Sequence, residues 1–222
     1  MSNSRRVTRF GMVNVYLVSE EDGLTVIDTA LPGSTAAIAK AAEQIGQPVQ
    51  RILLTHAHGD HVGSLDVLHE RFPDAEVLIS VRDARLLDKD MTLDADEPQG
   101  KIKGSVPGTK TRPNTRLREG DMVGSLQAVA APGHTPGQFA FLDTRDQTLY
   151  CGDAYSTLAG VATCAKANPL FPLPALATWD KPTALESAKA LRALDPARLA
   201  PGHGAVVESP GEAMDKAIAK AS

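Results

Sequence analysis

The feature that most constrains this chain is a cluster of histidines in the stretch HAHGDH, residues 56–61. The sequence has six histidines, and three of them fall in this stretch together with Asp60. The apolar run at 51–55 directly precedes the cluster and is typical of a buried strand. The cluster is therefore predicted to lie in a loop at the end of a strand, where Gly59 lets the backbone bend.

This loop has the donor atoms of a metal site. Divalent cations such as zinc bind imidazole nitrogen and carboxylate oxygen at about 2.0–2.2 Å. Residues two positions apart in a tight loop can bind one ion, and the residues that follow can bind a neighbouring ion. The pattern favours a site for one or two metal ions over an unligated group of surface histidines.

Further candidate ligands lie far along the chain, each in a glycine-containing turn after a predicted strand. Strand-end loops converge on one edge of a sheet, so we expect these residues to meet the histidine cluster. They are His134 in PGHTPG, Asp153 in CGDA and His203 in PGHG.

Composition narrows the class of protein. Hydrophobic residues make up 42% and charged residues 23%, as in ordinary globular proteins. The net charge of −4 argues against a nucleic-acid binder. No stretch resembles a secretory signal, and no run approaches the roughly 18 apolar residues of a membrane span. With only Cys151 and Cys164, which suggest free thiols, we expect a cytoplasmic protein that does not bind membranes.

The order of predicted elements favours one α/β domain over residues 1–222, and the sequence leaves the oligomeric state open. The long segments at 88–119 and 156–179 are predicted to be irregular, and loops of such length are usually functional or partly ordered. Strands are predicted at 13–18, 24–28, 51–55, 76–80, 126–131, 139–142, 148–151, near 199 and at 206–207. Helices are predicted at 34–45, 62–72, 183–194 and after 210.

The combination of these motifs resembles the metallo-β-lactamase superfamily over nearly the whole chain. The resemblance implies an α/β fold, a four-layer αββα sandwich of two mixed β-sheets flanked by helices, with metals at the edge where loops of both sheets meet. The motifs that carry it, in the family's order, are VNVYLV, LTVIDT, LLTHAHGDHVGS, APGHTPGQ, CGDA and APGHG.

The resemblance also implies a ligand set and a mechanism. Two divalent ions are expected, with zinc preferred and iron or manganese as alternatives. A hydroxide between the ions would attack the substrate, and Asp60 would orient it and carry a proton to the leaving group. The implied ligands are His56, His58 and His134 for the first ion, Asp60, His61 and His203 for the second, and Asp153 as the bridging carboxylate.

Other residues near the motifs have two interpretations each. Asp28 matches a family position that supports the metal loop from behind, since ligating imidazoles usually donate their second N–H. Thr55 and Thr135 either do likewise or bond only to local backbone. Tyr155 is a candidate catalytic oxyanion donor or a packed aromatic. His69 is predicted to be a surface residue.

Two segments bear on the substrate. The apolar residues at 170–179 either form a lid for an apolar substrate or pack in the core. The basic residues between Lys101 and Arg118 either attract an anionic substrate or form a solvated loop.

These observations predict a metal-dependent hydrolase of an ester, lactone, thioester or related small acyl compound. A mononuclear iron enzyme that resembles the persulfide dioxygenases is an alternative because such enzymes share the HxHxDH loop. A β-lactam hydrolase, or a metal-stabilised binding protein without turnover, is also open.

Overall fold

The computed structural model describes residues 3–222, and its secondary structure alternates strands with helices. The first elements are β1 (Ser4–Arg9), β2 (Val13–Glu20), β3 (Gly23–Ile27), α1 (Thr35–Ile45), β4 (Val49–Leu53), α2 (Gly59–Val62), α3 (Leu65–Arg71), β5 (Glu76–Ser80), α4 (Ala84–Leu87) and β6 (Thr115–Leu117). They are followed by β7 (Met122–Val123), β8 (Leu126–Ala130), β9 (Phe139–Asp143), β10 (Thr148–Gly152), β11 (Tyr155–Ser156), β12 (Ala162–Thr163), α5 (Leu173–Ala177), α6 (Lys181–Ala193), β13 (Arg198–Pro201), β14 (Val207–Glu208) and α7 (Gly211–Ala221).

The strands form two mixed sheets and one small hairpin of β11 and β12. The first sheet has the order β1-β2-β3-β4-β5-β6, with antiparallel pairing up to β3 and parallel pairing beyond it. The second has the order β14-β13-β10-β9-β8-β7, in which only β10 and β13 pair in parallel. The predicted pair of mixed sheets is confirmed.

Three apolar clusters separate four layers. One lies between the sheets, where residues such as Leu53 and Phe141 face each other. A second joins the outer face of the first sheet to α1 and α3, and includes Ile38 and Leu68. The third joins the second sheet to α6 and α7, and includes Leu191. Burial on both faces explains why the central strands are apolar without alternation, and the αββα order agrees with the prediction.

The topology brings several loops to one edge of the sandwich. Strands β8, β10 and β13 run in the same direction, so the turns that follow them lie at the same end of the second sheet. The start of β2 reaches this edge from the first sheet, because Asn14 N–H donates to the carbonyl of Gly202 at 2.8 Å. Residues at the ends of both sheets can therefore share one site.

Some details differ from the predictions. Strand β1 was not predicted, because SRRVTR lacks an apolar face. A strand of this kind is tolerated at the edge of a sheet, and β1 is an edge strand. The helix predicted at 62–72 is divided into α2 and α3, and α2 begins inside the histidine cluster. Within 3–222 no helix has the length and apolar character needed to cross a membrane. The cytoplasmic location stays a prediction.

Candidate metal centre

All seven predicted ligands lie at this edge of the sandwich, in two adjoining groups. In each group the donor atoms lie within 4.8 Å of one another. The first group is His56, His58 and His134, and the second is Asp60, His61, Asp153 and His203.

In the first group, each imidazole is held through its outward nitrogen. His56 Nδ1 lies 3.0 Å from Thr55 Oγ1. His58 Nε2 donates to the carbonyl of Lys103 at 2.9 Å. His134 Nδ1 lies 3.1 Å from Thr178 Oγ1. The remaining nitrogens face one another, and His58 Nδ1 lies 2.9 Å from His134 Nε2.

The second group is held in the same way. His61 Nδ1 lies 2.7 Å from a carboxylate oxygen of Asp28. His203 Nδ1 donates to the carbonyl of Met12 at 3.1 Å. Asp28 also accepts from the backbone and hydroxyl of Thr55, so it steadies both groups, as predicted.

These outward partners fix which nitrogen of each ring is available. A carbonyl or carboxylate only accepts, so His58, His61 and His203 carry a proton on the outward nitrogen. The hydroxyls of Thr55 and Thr178 have acceptors of their own, Asp28 for the former and the carbonyl of Pro174 for the latter. Because these hydroxyls donate their hydrogens elsewhere, their oxygens accept a hydrogen bond from the outward N–H of His56 and His134, respectively. Each ring, when neutral, presents an inward lone pair, as metal ligation requires.

Three inward atoms are buried polar groups that lack a hydrogen-bond partner: His56 Nε2, His61 Nε2 and Asp153 Oδ1. The last two are 3.2 Å apart but are not aligned for a hydrogen bond. Buried polar atoms without partners are rare in folded proteins and call for an explanation. A cation between these atoms would satisfy them, so the donor set fits a metal ion.

Burial dominates the electrostatics of the first group. It lowers the pKa of His56 well below the ordinary value, and neighbouring imidazoles lower it further. Burial lowers the pKa of His58 as well, and that of His134 to about 3. The three rings are therefore neutral at pH 7 and disposed to accept a cation.

Opposite charges dominate the second group. Burial opposes protonation of His61 and His203, but nearby carboxylates outweigh it, raising the pKa of His61 well above its usual range and that of His203 to about 10. Burial also opposes ionisation of Asp60 and Asp153. The two histidines nevertheless lower the pKa of Asp60 to about 2 and hold that of Asp153 well below its ordinary value.

Asp153 links the two groups. One of its carboxylate oxygens lies 3.2 Å from His203 Nε2 and 3.4 Å from His134 Nε2. The carboxylate thus contacts one imidazole of each group, the position expected of a bridging ligand.

Asp83 is a supporting residue that the sequence did not reveal. Its buried carboxylate accepts from the backbone of Ala57, between two ligand histidines, and from the backbone of Gly137 and the hydroxyl of Thr135, beyond His134. Burial raises the pKa of Asp83 to about 6 despite these hydrogen bonds. Thr135 therefore supports the ligands through Asp83 and not by direct contact.

Gly104 is a second unforeseen residue, in the long loop after α4. It has a φ of +79°, and a Cβ atom there would lie 2.5 Å from His58 Nε2. Only glycine lets this loop present the Lys103 carbonyl to the His58 ring. Every residue type has a backbone carbonyl, so the sequence alone does not predict which carbonyl accepts a hydrogen bond from a ligand histidine.

The oxyanion role considered for Tyr155 does not fit the structure. Its side chain is fully buried in the cluster beneath α6, and its hydroxyl donates to the carbonyl of Ala188 at 2.7 Å. Strand β11 turns the ring into the core, which is the alternative the sequence allowed. His69 lies on α3, partly exposed and outside both ligand groups.

A pocket of about 220 Å³ opens onto the two groups. Its lining includes five of the ligands: His58, Asp60, His134, Asp153 and His203. The side chain of Asp60 is 34% exposed, more than the other ligands of its group, so it is the one best placed to meet a bound molecule.

Comparison with known proteins agrees with this site. The chain is 52% identical over 210 residues to a Bacillus subtilis (strain 168) protein named "Uncharacterized protein YobT", covering 94% of this chain and 90% of that one. It is 29% identical to the "Probable metallo-hydrolase YflN" of the same strain, over 87% and 81% of the two chains. The solved structure of TTHA1623 in a di-iron-bound form matches with a TM-score of 0.67 and 25% identity, over 95% and 96% of the chains.

The family comparison covers most of the chain. The model of the metallo-beta-lactamase superfamily matches residues 8–203, a range that includes all seven ligand residues. With the αββα sandwich and the donor groups at its edge, this match shows that the chain belongs to the metallo-beta-lactamase superfamily.

Proposed function

We propose that the protein is a hydrolase that cleaves an ester, lactone, thioester or related small acyl compound at a centre of two divalent ions. The observation that carries the proposal is the convergence of the inward nitrogens of five imidazoles around the Asp153 carboxylate. Zinc is the preferred ion, and the di-iron-bound form of TTHA1623 keeps iron as an alternative.

The residues would divide the work as follows. The first group would hold one ion, the second the other, and Asp153 would contact both. Cations bound there would lower the pKa of a water molecule toward about 7 and polarise the substrate carbonyl. Asp60, which faces the pocket, would orient the attacking water and hold its proton at a carboxylate oxygen before the leaving group takes it.

The neighbouring residues would keep this arrangement in place. His203 Nε2 lies 3.3 Å from Asp60 Oδ2 and would restrict the carboxylate to one orientation. The carbonyls of Lys103 and Met12 and the carboxylate of Asp28 would hold the rings in the ligating tautomer. Fixed acceptors of this kind hold the rings in place and avoid reorganisation during the reaction.

Metal analysis together with a substrate screen tests the proposal. Protein purified without added metal should contain two ions per chain and should hydrolyse members of a panel of lactones, thioesters and esters. Asp60→Ala and His134→Ala should each lose activity by more than 100-fold while remaining folded, because each removes a ligand.

Other outcomes would overturn the proposal. Folded ligand variants with wild-type rates would exclude a metal-centred reaction. One iron per chain with oxygen uptake on a persulfide would identify a dioxygenase instead. A fully loaded protein that turns over no compound in the panel would indicate a binding protein.

A further inference from the structure

The pocket above the ligand groups has a wall that the proposed reaction does not use. Apart from the ligands, most of the lining is apolar and comes from three separate parts of the chain. The β1–β2 turn contributes Met12, the segment before α1 contributes Leu31, and the segment at 171–177 contributes Phe171, Leu173 and Ala177. The ring of Phe171 lies against a ligand, with its centroid 5.4 Å from that of His203. A molecule at the ligands therefore lies beside apolar side chains.

Charge is the second observation. Among the described residues that line the pocket, none is a lysine or arginine, and Ser105 is the only polar side chain besides the ligands. None of the basic residues at 101–118 lines the pocket. Lys103 offers its backbone carbonyl to His58, and Arg112 pairs with Asp88. A carboxylate or phosphate remote from the reacting bond would lie against the apolar lining with no basic side chain there to pair with it, which is costly.

The third observation is an exposed apolar rim. Leu170 is 84% exposed, and on α5 Leu173 is 55% and Leu176 is 62% exposed. Leu173 belongs both to this rim and to the pocket wall. Isolated surface leucines are ordinary, but a group that continues into a pocket wall is typical of a binding site.

Size sets a limit on the occupant. At about 220 Å³ the pocket is smaller than the roughly 300–1,000 Å³ common for ligand sites. It has room for a short chain next to the reacting carbonyl.

We propose that the substrate is an uncharged ester, lactone or thioester with a short apolar acyl chain, which lies along Phe171 and Leu173. This substrate class rests on the proposed function. Water adds to the carbonyl carbon, the bond to the leaving oxygen or sulfur breaks, and the leaving group takes the proton. The products are a carboxylate, an alcohol or thiol, and one proton that is released to solvent.

Kinetics on a chain-length series test the acyl site. With 4-nitrophenyl acetate, butanoate and hexanoate, kcat/KM should rise about fourfold for each methylene, the equivalent of about 0.8 kcal/mol, until the pocket is full. A flat series, or faster turnover of esters whose acyl chain ends in a carboxylate, would overturn the proposed substrate class.

Calorimetry on product-like ligands gives a readout that is independent of turnover. Hexanoate and adipate have the same length, but adipate has a carboxylate in place of the terminal methyl group. On the metal-loaded protein, hexanoate should bind at least tenfold more tightly than adipate. Equal or tighter binding of adipate would show that the wall does not select apolar chains.

A matched pair of variants places the effect on the wall. Leu173→Asp should weaken hexanoate binding about tenfold, whereas Val67→Asp, at a similarly exposed residue on α3 outside the lining, should leave it unchanged. Equal effects of the two variants would overturn the assignment of Leu173. If hexanoate binds as expected but no ester, lactone or thioester is cleaved, the hydrolase function fails and the apolar acyl site stands.

Discussion

The two ligand groups share one pocket but differ in how they are held. The first consists of imidazoles alone, and burial keeps them neutral. The second joins two histidines to two carboxylates, which neutralise one another: His203 Nε2 lies within 3.3 Å of both Asp60 and Asp153. An ion that enters the first group displaces no ion pair, whereas an ion that enters the second replaces contacts already present.

This difference predicts an order of binding. The first group should fill at lower metal concentration, because no ion pair within it has to be broken when the ion binds. The second group would exchange its internal ion pairs for metal bonds and would release protons in doing so. Stepwise metal titration of the apoprotein should therefore resolve a tight and a weaker site, and the variants below test which residues belong to each.

The largest effect is expected from Asp153→Ala, because this carboxylate contacts both groups. The variant should retain at most one ion per chain and lose more than 100-fold in activity, since even residues that only support a ligand are worth about 10–100-fold. Metal content and kcat/KM measure the two effects. Asp146→Ala, at the other end of β10, is the control and should change neither. Two tightly held ions in Asp153→Ala would contradict a bridging position.

Asp83→Ala should affect the first group selectively. It removes the acceptor for the backbone N–H groups of Ala57 and Gly137, each worth about 1–3 kcal/mol when left unsatisfied and buried. Affinity at the tight site should fall about 10–100-fold while the weaker site changes little.

A milder variant keeps this prediction testable if Asp83→Ala fails to fold. Thr135→Val removes only the hydroxyl contact to Asp83 and should weaken the same site by a smaller factor. Denaturant unfolding and metal titration report stability and affinity separately. A loss confined to the weaker site would assign Asp83 to the wrong group.

The smallest effect is expected from Gly104→Ala. The new Cβ would contact the His58 ring, and overpacking of this kind costs at least about 1 kcal/mol. Gly120→Ala is a matched control, because Gly120 has a similar φ of +84° but no atom within 4 Å of an added Cβ. Both variants share the backbone strain, so only Gly104→Ala should weaken the tight site. Equal metal affinities in the two variants would show that the loop does not position His58.

The sequence identified the ligand positions better than their supports. His56, His58, Asp60 and His61 stand close together, and each distant ligand follows a strand whose apolar pattern is clear. Asp28 was found through the family resemblance. The structure brings these residues to one edge, as expected.

The supports were missed for physical reasons. A backbone carbonyl, such as those of Met12 and Lys103, can belong to any residue type and leaves no pattern. Asp83 stands at the start of a short helix, where aspartate is common for local reasons. Tyr155 shows the converse error, since proximity to Asp153 in sequence does not determine the face of a strand to which a ring points.

The span of the ligand set affects stability as well as chemistry. The two cysteines of the chain are buried and unpaired, so no disulfide joins its distant parts. Ions at this edge would tie residues as far apart as His56 and His203 and would bind only the folded chain. At a free concentration 100 times the dissociation constant, such binding adds about 2.7 kcal/mol to the free energy of unfolding. Metal supply would then govern how long the protein survives as well as how fast it works.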